Sequence, residues 1–149
     1  MNDPTVMNEP TVLLVDDEEP FVDTMTKRLS KRSLTVLKAY SGEEALSVLK
    51  EDHHIDVVIL DVKMPGMDGI ETLKAIRKDF PLVEVIMLTG HATVETSIEG
   101  MRLGAFDYLM KPSDMDVLMD KVNAATRKKR EHEDKIREAR VNVILKARP

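Results

Sequence analysis

Short apolar runs alternate along this chain with segments that have the periodicity of amphipathic helices. Five such runs occur, at 11–15, 34–40, 56–60, 83–89 and 105–110. Between the first two, Phe21, Met25 and Leu29 recur at helical spacing and indicate a helix that packs on a core. Strict alternation of strands and helices predicts a parallel sheet covered by helices on both faces. Because the clearest runs lack polar positions, they are typical of strands buried on both sides, as in a doubly wound α/β fold.

Capping residues place the boundaries of several predicted helices. Ser41 and Glu44 have the spacing of a capping box, Thr93 suits an N-cap, and Pro81 ends a helix over 69–80. From Ser113 onward the pattern is helical throughout, so the chain is expected to contain five helices, the last of them extended.

The chain is expected to divide into one compact domain and two appendages. With 149 residues it suits a single domain, which we place at 11–126. The polar residues 1–10 are predicted to form a disordered tail, and 127–149 a helical extension. Because TRKKREHEDK at 126–135 lacks apolar residues, this stretch is predicted to be a solvated helix.

Composition excludes several classes of function. There are no cysteines, which excludes disulfides, thiolate catalysis and cysteine-based zinc sites. The net charge of −5 gives no indication of direct contact with nucleic acid or an anionic membrane. No apolar run approaches the roughly 20 residues of a membrane span, and the N-terminus lacks the pattern of a signal peptide. A soluble cytoplasmic protein is therefore expected.

Polar side chains follow four of the five predicted strands. Asp16 and Asp17 end the first strand, Asp61 ends the third, Thr89 ends the fourth, and Lys111 follows the fifth. Each alone is an ordinary turn, cap or surface residue. In a parallel sheet, however, these positions share the carboxyl edge, where ligands of such folds bind. The sequence therefore predicts that three carboxylates, a hydroxyl and an ammonium meet at one crevice.

Crowded carboxylates at this edge suit a divalent cation. Like charges so close raise the pKa of at least one acid, and a bound cation removes the repulsion. Oxygen ligands favour Mg²⁺ over Zn²⁺. An acid, a magnesium ion and a lysine together suit phosphoryl transfer, in which a carboxylate can be the nucleophile. We therefore expect Asp61 to be a phosphoryl acceptor held by a rigid strand.

The same residues resemble the receiver domain of two-component response regulators, the CheY-like superfamily. The resemblance covers residues 11–126 and includes Asp16-Asp17, Asp61 in LDVKMPGMDG, Thr89 in LTGHA, and Lys111-Pro112 in GAFDYLMKP. It implies a five-stranded sheet in the order 2-1-3-4-5, which is the order known for this type of fold.

The resemblance also implies a role for each site residue. Asp61 would accept a phosphoryl group, and Asp17 and Asp61 would bind Mg²⁺ or Mn²⁺ together with the backbone carbonyl of Lys63. Asp16 would act mainly through a metal-bound water. Lys111 would pair with Asp61 or with its phosphate, and the Lys111–Pro112 bond would be cis.

Further residues are implied to transmit and time the signal. Thr89 and Tyr108 resemble a switch pair: the threonine hydroxyl would move to the phosphate, and the tyrosine would turn from an exposed to a buried position. This would reshape the face formed by the fourth helix, the fifth strand and the fifth helix. Lys63 and His91 occupy positions where side chains tune the lifetime of the phosphate.

The implied function is a phosphorelay response regulator that catalyses only its own phosphorylation and dephosphorylation. Its partners would be a sensor histidine kinase or phosphotransfer protein and a downstream protein, with a homodimer as a further expectation. Three alternatives stay open: a Mg²⁺-dependent aspartyl-phosphate phosphohydrolase, a flavodoxin-like cofactor binder, and a receiver fragment of a larger DNA-binding regulator. The acidic crevice disfavours a flavin phosphate, and the strand-one sequence Asp-Asp-Glu-Glu differs from the Asp-x-Asp of haloacid-dehalogenase-like hydrolases.

Overall fold

The five predicted strands form a single parallel sheet. A computed structural model describes residues 8–147 of the chain. Its strands are β1 (Thr11–Val15), β2 (Thr35–Ala39), β3 (Val57–Leu60), β4 (Glu84–Thr89) and β5 (Asp107–Met110). They pair in the order β2-β1-β3-β4-β5. Both the predicted α/β fold and the strand order implied by the resemblance are therefore confirmed.

Helices connect the strands and begin at the caps that the sequence indicated. They are α1 (Glu19–Ser30), α2 (Gly42–Glu51), α3 (Gly69–Asp79), α4 (Val94–Arg102) and α5 (Met115–Lys146). The Ser41 hydroxyl accepts a hydrogen bond from the Glu44 backbone N–H at 3.1 Å, and Thr93 does the same for Thr96 at 3.0 Å. Each cap satisfies a backbone donor that has no partner within its helix.

The strands divide the core into two apolar layers. Side chains alternate along β1, β3 and β4, so one set faces α2 and α3 and the other faces α1 and α5. The first set comprises Leu13, Val15, Val58, Leu60, Val85 and Met87. The second comprises Val12, Leu14, Val57, Ile59, Ile86 and Leu88. Burial on both faces explains why these strands are apolar except at their ends, where Thr11, Glu84 and Thr89 lie.

Backbone hydrogen bonds extend the sheet to the residues that follow its strands. The Asp16 N–H donates to the Ala39 carbonyl at 3.2 Å, and the Asp61 N–H donates to the Val15 carbonyl at 3.0 Å. The Lys111 N–H likewise donates to the carbonyl of Thr89 at 2.9 Å. The side chains at the carboxyl edge therefore project from backbone that the sheet itself holds.

The long α5 remains attached to the domain beyond its apolar stripe. Lys129 is buried and its ammonium lies 3.2 Å from Oδ1 of Asp56, which is itself almost fully buried. The Arg130 guanidinium donates to both oxygens of the same carboxylate, at 3.2 and 3.0 Å. The prediction of a solvated helix over 126–135 was therefore wrong at these residues. Ion pairs with the buried Asp56, rather than apolar side chains, attach this part of α5 to the domain.

Asp56 lies directly before β3, at the amino edge of the sheet, opposite the predicted crevice. Its Oδ2 also accepts the backbone N–H of Thr11 at 2.9 Å. Burial alone would raise the pKa of Asp56, but hydrogen bonds from Arg130 and Thr11 and the charge of Lys129 hold it below its usual value. A second buried acid, Glu84 on the neighbouring β4, lies 3.6 Å from the ammonium of Lys128.

The ends of the chain complete the description of the fold. Residues 1–7 of the predicted tail and 148–149 of the predicted extension lie outside the described residues. Nearer the domain, the Asn8 carbonyl accepts a hydrogen bond from Arg130 at 2.8 Å, and the Pro10 carbonyl accepts one from Thr35 at 3.0 Å. Although α5 has 32 residues, neither it nor another helix within residues 8–147 is apolar enough to cross a membrane.

Replacing Asp56 should strongly destabilise the protein. Asp56→Ala removes the buried carboxylate shared by Lys129 and Arg130 and leaves the Lys129 ammonium with only Glu133, 2.9 Å away. Breaking a buried pair in this way costs about 3–5 kcal/mol of unfolding free energy. Urea denaturation at pH 7 measures the loss. Asp23→Ala, which removes the exposed pair with Lys38, should cost less than about 1 kcal/mol. Equal losses in the two variants would contradict this role of Asp56.

Candidate functional site

The acids that follow β1 and β3 meet at the carboxyl edge of the sheet. Carboxylate oxygens of Asp16, Asp17 and Asp61 lie within 4.8 Å of one another. Asp16 and Asp61 are buried, whereas Asp17 is exposed at the mouth of the site. The predicted meeting of three carboxylates is therefore found in the structure. We call this group of three residues the acidic crevice.

Asp61 is held in place by the loop that follows it. Its Oδ1 accepts the backbone N–H of Val62 at 2.8 Å, and the Gly69 N–H donates to the Val62 carbonyl at 2.7 Å. A Cβ on Gly69 would lie only 2.1 Å from the Asp61 carbonyl oxygen, so a larger residue does not fit. Glycine at the start of α3 thus lets the helix pack directly against the backbone of the acceptor candidate.

Lys111 contacts a different acid from the one implied by the resemblance. Its ammonium forms an ion pair with Oδ2 of Asp16 at 2.5 Å, and within residues 8–147 no ion pair with Asp61 is found. Asp16 is almost fully buried, and its Oδ1 already accepts the Glu18 N–H at 2.9 Å. Its second oxygen needs a cation nearby, because an unpaired buried charge is costly. The Lys111–Pro112 bond is cis, as expected.

The surroundings of Asp61 favour its protonated form. Burial raises the pKa of the Asp61 carboxyl, and the neighbouring Asp16 charge raises it further. The Thr89 hydroxyl and the Lys111 ammonium act in the opposite direction without cancelling the rise. The raised pKa of Asp61 is therefore chiefly a consequence of its burial, with the Asp16 charge adding to it.

The donor set fits a hard divalent cation. All three residues of the group are aspartates, so they offer carboxylate oxygens at close range and no nitrogen or sulfur ligand. Burial raises the pKa of Asp61, so a cation bound beside it would favour its ionised form. Asp16, Asp17 and Asp61 are thus compatible with magnesium binding.

Thr89 and Tyr108 lie near one another but have separate hydrogen-bond partners. Thr89 is fully buried, and its hydroxyl accepts the His91 N–H at 3.0 Å. Tyr108 is half-buried, and its hydroxyl lies 2.8 Å from Oγ1 of Thr96. Its ring packs against α4, where a Cβ on Gly100 would approach the ring to 3.3 Å. Thr96 is a contact that the sequence analysis missed.

The two residues expected to tune phosphate lifetime lie at the mouth of the site. Lys63 and His91 are exposed and line one open crevice beside the exposed acid Asp17. The same crevice is lined by Glu18, Met64 and Pro65.

Comparison with known proteins identifies the family. The profile of the response regulator receiver domain matches residues 12–123. The chain belongs to this family. A solved response regulator receiver domain protein from Clostridium thermocellum is 37% identical, with a TM-score of 0.78, over 81% of this chain and 97% of that one. Domains of this family are generally signalling domains rather than enzymes.

Two curated relatives are larger proteins. This receiver is 40% identical over 107 residues to the regulatory protein AtoC of Escherichia coli, a match covering 72% of this chain and 23% of AtoC. It is 38% identical over 120 residues to the transcriptional regulatory protein ZraR of Salmonella typhimurium, covering 80% of this chain and 27% of ZraR. The chain thus spans about a quarter of the length of these relatives.

Removing the charge of Asp61 should stabilise the metal-free receiver at neutral pH. The native pKa is raised, so ionisation of this carboxyl opposes folding once the pH exceeds the native value. Asp61→Asn should therefore raise the urea midpoint at pH 7 in the presence of EDTA. The gain should shrink as the pH falls towards about 4, where the unfolded carboxyl is also protonated. A lower midpoint, or a gain independent of pH, would contradict this expectation.

The Tyr108–Thr96 hydrogen bond should be measurable as a coupling energy. In a double-mutant cycle with Tyr108→Phe and Thr96→Val, we expect a coupling of about 0.5–1.5 kcal/mol in unfolding free energy. Ser41→Ala removes the cap of α2, a hydroxyl that bonds Glu44 and neither Tyr108 nor Thr96, so paired with Tyr108→Phe it should show no coupling. Additive effects of Tyr108→Phe and Thr96→Val would show that the bond contributes nothing.

Proposed function

We propose that this receiver is a phosphorelay switch in which Asp61 accepts a phosphoryl group from a phosphohistidine. The donor is a sensor histidine kinase or a phosphotransfer protein. One observation carries the proposal: a buried carboxylate at the end of a rigid strand shares an oxygen-rich crevice with Asp16, Asp17 and the ammonium of Lys111. Membership of the receiver family supports the same assignment.

The transfer breaks one bond and forms another. A carboxylate oxygen of Asp61 attacks the phosphorus, the P–N bond to the donor imidazole breaks, and its electron pair stays on the ring nitrogen. Lys111 offers positive charge to the phosphoryl oxygens, and the Thr89 hydroxyl is near enough to Asp61 to donate a hydrogen bond to the product. Burial of Asp61 keeps bulk water away from the acyl phosphate.

Asp17, Asp61 and the Lys63 backbone carbonyl would hold Mg²⁺ or Mn²⁺, with Asp16 supporting the site through a bound water. When bound, the cation supplies positive charge that offsets the crowded carboxylates and the incoming phosphoryl group. Asp17 is the exposed member of the crevice and therefore the first acid that an entering ion meets. Lys63 and His91 stand beside it, where each is expected to alter the access of the hydrolytic water.

The output of the switch is the surface formed by α4, β5 and α5. Phosphate adds about −1.5 to −2 charge at Asp61. The Thr89 hydroxyl would leave the His91 N–H for a phosphate oxygen, and Tyr108 would turn into the space released. Exposed apolar side chains on all three elements offer a surface for a downstream protein or a second copy: Val94, Ile98, Met101, Met110 and Val117.

The receiver is proposed to end near residue 126, with the rest of α5 as an extension. The family profile ends at residue 123, and α5 continues to Lys146 without a break. Because the curated relatives are about four times as long, an output domain of a larger transcriptional regulator is the second reading of what α5 connects to.

A small phosphodonor tests the proposal without the kinase. Incubated with acetyl phosphate and Mg²⁺, the chain should gain the mass of one phosphoryl group as acetate leaves, and EDTA should prevent the gain. Asp61→Asn should gain none, because the amide is not a nucleophile for this reaction. Intact-protein mass spectrometry measures the product, and hydroxylamine should remove an acyl phosphate.

Asp23→Asn, an exposed acid on α1, is the matched control and should be phosphorylated like the wild type. Phosphate on Asp61→Asn would place the acceptor elsewhere, and no gain in the wild type would overturn the proposed function. Steady turnover of generic phosphomonoesters would favour the phosphohydrolase alternative instead.

A further inference from the structure

The ammonium of Lys111 has an aromatic neighbour as well as an acidic one. Its Nζ atom lies 3.9 Å from the centroid of the Phe21 ring, and 2.5 Å from Oδ2 of Asp16. The cation is thus held between a carboxylate and the face of a benzene ring. The Lys111 side chain is only 16% exposed, so this contact is largely shielded from water.

The position of Phe21 on α1 explains how it reaches the site. The buried residues of this helix are Val22, Met25 and Leu29, so the buried stripe passes through the residue after Phe21. Phe21 is only partly buried and packs at the edge of the layer between the sheet and α1. Because α1 begins directly after residues 16–18, which follow β1, its first turn brings the Phe21 ring to the carboxyl edge of the sheet.

The face of an aromatic ring attracts a cation in a way that an aliphatic side chain does not. The attraction arises from the ring quadrupole, acts within about 6 Å of the centroid, and strengthens when the pair is shielded from water. The ring also restricts a lysine side chain that otherwise samples many rotamers. Phe21 therefore does more than fill space: it limits where the Lys111 charge can lie.

We infer that Phe21 is a positioning residue that holds the Lys111 ammonium at the acidic crevice before the phosphoryl group arrives. The inference rests on the proposed function, because it assigns Phe21 a part in the phosphorylation of Asp61. A cation already in position need not be ordered during the reaction, and such preorganisation increases the rate. Leucine at this position would keep apolar contact with the sheet and lose the hold on the cation.

A spectroscopic test does not depend on phosphorylation. Protons on a carbon next to an ammonium above a ring face are shifted upfield by the ring current. In NMR spectra of the unphosphorylated wild type, the Lys111 Cε protons should show this shift. In Phe21→Leu the chemical shift of these protons should return to the value of an exposed lysine, whereas Phe21→Tyr should retain the upfield shift. An ordinary Lys111 signal in the wild type would overturn the inference at once.

The functional test compares rates of phosphorylation by acetyl phosphate with Mg²⁺. Phe21→Leu should slow the reaction by between about twofold and thirtyfold, which is the range that the strength of cation–π contacts allows. Phe21→Tyr should restore most of the rate. Phe106→Leu is the matched control, because Phe106 also stands beside a lysine, Lys128, with 5.7 Å between ammonium and ring centroid, but far from the acidic crevice. It should leave the rate unchanged.

A Lys111→Met background separates positioning from packing. If Phe21 acts through the ammonium, Phe21→Leu should slow the wild type but not the Lys111→Met variant. An equal slowing in both backgrounds, or failure of Phe21→Tyr to restore the rate, would show that Phe21 only packs, and would overturn the inference. Absence of phosphate on the wild type would overturn the proposed function and this inference together, whereas normal phosphorylation of Phe21→Leu would overturn the inference alone.

Discussion

Three carboxylates lie close together at the carboxyl edge of the sheet, and one of them is paired with Lys111. The surrounding backbone keeps these like charges near one another. Asp16 and Asp61 cannot move apart, because their backbone N–H groups are bonded to the neighbouring strands. The loop after Asp61 is fixed in turn by the close approach of Gly69. A flexible loop would relieve the repulsion by separating the acids. The rigid strands keep the carboxylates together, so the repulsion persists, and a bound cation would relieve it.

The pKa values of the buried acids Asp56 and Asp61, at opposite edges of the same sheet, are shifted in opposite directions. At the amino edge, Asp56 is surrounded by Lys129, Arg130 and a backbone donor, and its pKa is lowered. At the carboxyl edge, burial and the neighbouring Asp16 charge raise the pKa of Asp61, and the Lys111 ammonium that would lower it is bound to Asp16. One edge therefore stabilises the fold with an ionised carboxylate, whereas ionisation of Asp61 at the other edge opposes folding. A matched acid suits a structural role, and an unmatched acid suits a functional one.

The sequence was sufficient for the parts of the molecule that depend on local pattern. Strand β1 was predicted with its observed bounds, and the caps at Ser41 and Thr93 were predicted from spacing alone. Residues that act through distant partners were missed. Phe21 was assigned to the core because its helical spacing fits, and Lys129 to solvent because its neighbours are charged. Phe21 does pack against the core, but its contact with Lys111, 90 residues away, was missed. The assignment of Lys129 was wrong because its partner Asp56 lies 73 residues away along the chain.

Burial also sets α4 apart from the other helices of the domain. Its only buried residue is Gly100, whereas α1 buries three apolar side chains in the core. Helix α4 contacts α3 and β5, and on the β5 side the Tyr108 hydroxyl bonds Thr96 while its ring packs against Gly100. An element with so little apolar anchoring moves at lower cost than one packed into the core. Tyr108 of β5 pairs with Met87 of β4, two residues before Thr89 on that strand, so in the proposed switch its side chain would carry a change at the threonine to α4.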